Sequence, residues 1–119
     1  MAFVSFRTIA PYNEVLVNPA KIVAISPEPS TPDGESELLA EANRQIHVLE
    51  NIDSVAGKLG ANFVRLEAAS TTIAAVYVNK RLVLQLLPHP QVANVVQVHG
   101  RGRQIAVKGT LQEVAQKLS

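Results

Sequence analysis

Few side chains in this 119-residue sequence offer chemistry beyond packing. A metal centre needs donors that converge at close spacing, yet no HxH, HxxxH or ExxH pairing links His47, His89 and His99. All three are expected at the surface. Cysteine is absent, which removes disulfides, thiolate centres and thiol nucleophiles. No serine stands in a GxSxG turn and no Ser-His-Asp set suggests itself. The carboxylates between Glu28 and Glu41 form a solvated face rather than a tuned acid/base pair. The expectation is no enzyme, no metal and no cofactor.

The cations are more telling. The stretch HGRGR at 99–103 sets Arg101 and Arg103 on a glycine-rich hairpin tip. With Lys80, Arg81, His99 and Lys108 they make a candidate surface for phosphates, nucleic acid or an acidic partner. Aromatic side chains are 4% of the chain, so platforms for stacking bases are poorly supplied. The net charge of +1 conceals a split. Residues 1–60 hold four Lys/Arg against eight Asp/Glu, and residues 61–119 hold seven against two. The acidic half and the basic half can therefore complement one another between subunits or face different partners.

These residues sit in a pattern stated twice. Arg44-Gln45-Ile46 recurs as Arg103-Gln104-Ile105, and Val15-Leu16-Val17-Asn18 as Val76-Tyr77-Val78-Asn79. Ile22, Ile25 and Pro27 fall on Val83, Leu86 and Pro88, at offsets that drift between 59 and 61. With Phe3-Val4 on Phe63-Val64, four blocks in the same order imply a tandem duplication. Alternation in the first copy predicts strands over Phe3–Ile9, around Val15–Val17, and over Lys21–Ser26, Ser36–Ala40 and Gln45–Leu49. The segment PEPSTPDGE at 27–35 is a polar loop. Ile46 and Val48 face one side of the last strand; His47 faces the other, which tolerates the exchange to Ala106.

A helix closes each copy. Ile52, Val55, Ala56 and Leu59 form one apolar stripe, matched by Leu111, Val114, Ala115 and Leu118. Asn51 caps the first helix; Thr110 and Glu113 form a capping box on the second. Gly57 and Gly60 make the first the frailer. The fold class expected is α+β: two tandem βββββα repeats, 1–60 and 61–119, packed with pseudo-twofold symmetry into one compact body with a shared core. Units of this size are marginal alone, and exposed outer strand edges make a homo-oligomer plausible.

The patterns VLVNPAKIVAISPEP with RQIHVLENIDSVAGKL, and VYVNKRLVLQLLPHP with RQIAVKGTLQEVAQKL, resemble the small FlbD/SwrD-type swarming-motility (flagellar accessory) proteins. This chain departs from them in being a tandem fusion. The resemblance implies a bacterial or phage-borne accessory protein without enzymatic activity. LVNPAKIVAI is also similar to the end of LytTR-type DNA-binding domains, without their preceding basic recognition segment. The layout is similar, too, to Pur-alpha/whirly-type single-strand binders, whose repeats run ββββα.

The first reading is a binding or assembly module acting through a protein partner or self-association. The alternative is a nucleic-acid-binding regulator using the basic second half. Neither a membrane-length apolar run nor a signal-peptide layout is present, so no membrane insertion and a cytoplasmic location are expected.

Overall fold

The computed structural model describes residues 3–31, 34–41 and 44–119. Met1 and Ala2, and Pro32 and Asp33 of the expected polar loop, lie outside the described residues. Among the described residues, apolar–polar alternation resolves into ten short strands in an α+β arrangement. The first half runs β1 (Val4–Arg7), β2 (Glu14–Val17), a 3-10 turn (Pro19–Lys21), β3 (Ala24–Pro27), β4 (Ser36–Leu39), β5 (Gln45–Val48) and helix α1 (Ile52–Leu59). The second runs β6 (Phe63–Glu67), β7 (Ala75–Asn79), a 3-10 turn (Lys80–Leu82), β8 (Gln85–Pro88), β9 (Val95–Gly100), β10 (Arg103–Lys108) and helix α2 (Leu111–Leu118).

The third strand begins three residues later than its apolar run predicts, and the reason is local. Asn18 Oδ1 accepts from Ala20 N–H at 3.1 Å, tightening the chain into a 3-10 turn before the strand can start. Asn79 Oδ1 accepts from Arg81 N–H in the same way at 3.0 Å. The helix ends follow expectation. Asn51 accepts from Ser54 N–H at 2.8 Å, Thr110 and Glu113 close their capping box, and Gly60 ends α1 at a φ of 114° that a side chain would strain.

All strand pairings among the described residues are antiparallel. β1 and β2 form a hairpin, β5-β4-β3-β7-β6 form a five-stranded sheet, and β10-β9-β8 form a third sheet. The strand registers of the halves correspond. Leu38 opposes Ile46 as Val98 opposes Ile105, and Val4 opposes Val17 as Val64 opposes Val78. Val23 N–H reaches Leu39 O, and Leu84 N–H reaches His99 O, both at 2.7 Å. A twofold axis, however, would need β8 to pair β2 as β3 pairs β7. Among the described residues β8 pairs only β9 and β2 pairs only β1. The expected pseudo-twofold packing is therefore replaced by halves that follow one another along a single seam.

The expected shared core is likewise two cores. Phe6, Ile22, Ile25, Val55 and Leu59 cluster with Phe63 and Ala75; Leu66, Val96, Val107 and Val114 cluster with Val76 and Val78. Successive residues of β7 point to opposite faces, so this strand serves both clusters and is apolar nearly throughout, as a strand buried on both faces must be. The seam fixes that position. Asn79 donates its backbone N–H to Val23 O at 2.8 Å and its Nδ2–H to Ile22 O at 2.9 Å.

Candidate nucleic-acid interface

The seam brings the two asparagine-capped turns together. Pro19–Lys21 with Asn79, Arg81 and Leu82 contribute to one open hollow of about 540 Å³, completed by Leu59, Asn62, Phe63 and Arg101. Among the described residues its charged lining is Lys21, Arg81 and Arg101, with no carboxylate. An adjoining hollow of about 270 Å³ shares Lys21 and Arg101 and adds Arg44 and Glu41. Four cations and one acid, Glu41, thus line a continuous concave surface, an arrangement suited to phosphate oxygens.

The hairpin tip between β9 and β10 delivers Arg101. Arg101 itself has φ 50° and Gly102 φ 79°, the left-handed pair that a two-residue hairpin turn needs. Glycine or asparagine is the usual occupant of the first place; arginine there costs about 1 kcal/mol. The tip is held against the Lys80–Leu82 turn by Gly100, where a Cβ would lie 2.3 Å from Leu82 O. Glycine is required at 100 for that approach.

Of the six sequence-derived candidates, the structure brings Arg81 and Arg101 together in the large hollow. Arg103 instead ties the second half to the first, through Nε, which donates to Ala40 O at 2.8 Å, and Nη2, which donates to Arg44 O. Lys108 pairs with Glu67 at 3.6 Å. His99 is half-buried, with Nε2 enclosed and unpaired among the described residues. The backbone of Lys80 is anchored by its N–H to Asn62 O at 2.9 Å. Lys21 and Arg44 lie in the acidic half and escape a reading based on charge runs. The signal available is positional: under the expected repeat alignment Ala20-Lys21 stands against Arg81-Leu82 and Arg44 against Arg103.

The expected outward, indifferent face at His47 is also corrected. Its Nε2 lies 2.5 Å from Glu35 and its Nδ1 3.1 Å from Glu37. Burial disfavours the imidazolium, but these carboxylates outweigh it and raise the pKa above its ordinary value. Burial, reinforced by a hydrogen bond with Glu28, raises the Glu37 carboxyl despite the neighbouring histidine. Glu28, Glu37 and His47 offer donor atoms within 4.8 Å of one another, a convergence that sequence spacing does not show. Both ring nitrogens are already engaged by carboxylates, so an ion-pair network accounts for the cluster. Nor is His89 a free surface group: its Nδ1 accepts from Gln91 N–H at 3.1 Å and Val92 N–H at 3.0 Å.

An antiparallel body of two-, five- and three-stranded sheets with a cationic hollow at its seam defines a class of fold rather than a chemistry. That fold is similar to the solved structure of a LytTR DNA-binding domain from Bacillus cereus, with a TM-score of 0.66 at 14% identity, over 99% of this chain and 96% of the other. No family model matches the chain and no curated relative does. The match spans 99% of the chain, so the comparison agrees with the LytTR resemblance at the level of fold and gives no support to two fused flagellar-accessory units. No helix is long and apolar enough, among the described residues, to cross a membrane.

Proposed function

We propose that this protein is a nucleic-acid-binding module that grips phosphates with Lys21, Arg44, Arg81 and Arg101 and performs no chemistry. One observation carries the reading: cations from both halves line a continuous concave surface, and among the described residues no carboxylate lines its large hollow. The likeness to a DNA-binding domain supports it at the level of fold. The left-handed arginine at the hairpin tip supports it further, since a less strained residue was open to that position. Lys80 adds charge beside this surface, whereas Arg103, Lys108 and His99 act within the fold. Scarce exposed aromatics favour backbone contact over base stacking.

The test is fluorescence anisotropy with mixed-sequence duplex DNA and RNA at two salt concentrations. Three or four phosphate contacts predict roughly a hundredfold loss of affinity from about 50 to 200 mM salt. Arg81→Glu with Arg101→Glu should remove both binding and salt slope, while Lys108→Glu should leave them nearly intact. Absence of binding at low salt overturns the proposal.

A further inference from the structure

The seam has a vacant counterpart at each end of the molecule. Val23, on the β3 side, is 3% exposed beneath β7, while the corresponding Leu84 beside β8 is 80% exposed. On the other partner, Phe63 and Tyr77 pack against the first core; their counterparts Phe3 and Leu16 are 62% and 61% exposed. The helices repeat the contrast. All four stripe residues of α1 are buried, but in α2 only Val114 is, and Leu111 stands 40% exposed. Leu84, Phe3, Leu16 and Leu111 are thus large apolar side chains left open at the positions that the internal joint covers.

From this we infer that copies of the chain associate head to tail, the β1–β2 hairpin of one copy docking on β8 and α2 of the next. The joint reproduces the internal one. Where Ala24 opposes Val78 and Ile25 opposes Tyr77, Gln85 would oppose Val17 and Leu86 would oppose Leu16 of the next copy. Asn18 would serve as Asn79 does: its backbone N–H would reach Leu84 O, and its Nδ2–H would reach Val83 O. Phe3 and Leu16 would cover Leu111 and Leu118 as Phe63 and Tyr77 cover α1. Among the described residues the outer edges of β2 and β8 have no strand partner, and such pairing would satisfy their backbone groups. The contact is heterologous, because the two surfaces differ, and it therefore generates rings or open chains rather than a twofold dimer.

Sedimentation equilibrium of the untagged, nucleic-acid-free chain tests this apart from any binding of DNA or RNA. The mass should rise with concentration from 12.8 kDa. Leu84→Glu and Leu16→Glu, both at exposed positions, should each weaken association at least about tenfold with unchanged circular dichroism. An equimolar mixture of the two variants retains one good hairpin and one good docking face. It should form a heterodimer of twice the chain mass and nothing larger. A wild type that stays at 12.8 kDa, assembly that survives both substitutions, or a mixture that remains monomeric overturns the inference.

Discussion

Helices α1 and α2 have the same length and the same apolar spacing, yet one stripe is wholly covered and the other largely open. The difference lies in what packs over each helix. After α1 comes the β6–β7 hairpin, which folds back over Ile52, Ala56 and Leu59 through Phe63 and Ala75. Over α2, among the described residues, only Val114 of the stripe is buried. Identical local patterns thus reach different burial because burial belongs to the neighbour as much as to the helix. The same lesson separates β7 from β2. Their registers with β6 and β1 match, but only β7 is flanked on both sides and packed on both faces.

Substitutions at paired positions sharpen this contrast. The largest gap is expected between the helices. Ile52→Ala should cost about 3 kcal/mol, whereas Leu111→Ala should cost under about 1 kcal/mol at concentrations where the chain is monomeric. Urea unfolding of both variants checks it, and equal costs would break the comparison. The next gap separates the two turn asparagines. Asn79→Ala removes a buried side chain that caps a turn and also bonds Ile22 O across the seam, at about 2 kcal/mol; Asn18→Ala removes a cap alone, at about 1 kcal/mol. The same urea titration reads both. The smallest concerns His47, whose counterpart is Ala106. With its pKa raised above 6.5 by Glu35 and Glu37, His47 contributes fully below about pH 6.5, and that contribution is lost as pH climbs through the raised value. The raised Glu37 carboxyl acts in the same direction from its ordinary 4.5 upward. Between about pH 6 and pH 8.5 the Tm of the native chain should fall by about 2–4 °C more than that of His47→Ala, measured calorimetrically.

Much of the fold was legible because it is local. Period-two alternation located the strands, the stripes at 52–59 and 111–118 located the helices, and Asn51, Thr110 and Glu113 located their caps. The long-range seam was not legible in those terms, since strand alternation says which side is apolar but not which strand lies alongside. A clue was present all the same. AVYVN at 75–79 is apolar on both faces while its counterpart EVLV starts with a charge, which marks the first as central and the second as an edge. At the candidate site Arg81 and Arg101 were legible as charge on turns. Lys21 and Arg44 were hidden by the acidic average of their half, because a mean charge says nothing about which cations the seam carries to one place. His47 shows the reverse case: a side chain sent to the outer face by the pleat can still find partners on the adjacent strand.

Under the proposed phosphate-binding function, the missing methyl at position 100 has a consequence. By letting the hairpin tip rest directly on the neighbouring carbonyl, it locks the bases of the two long guanidinium arms into a fixed relative placement. A polyanion meeting them would have only side-chain rotors to freeze, with no loop to organise, and the ordering entropy that usually weakens flexible basic patches would be largely absent.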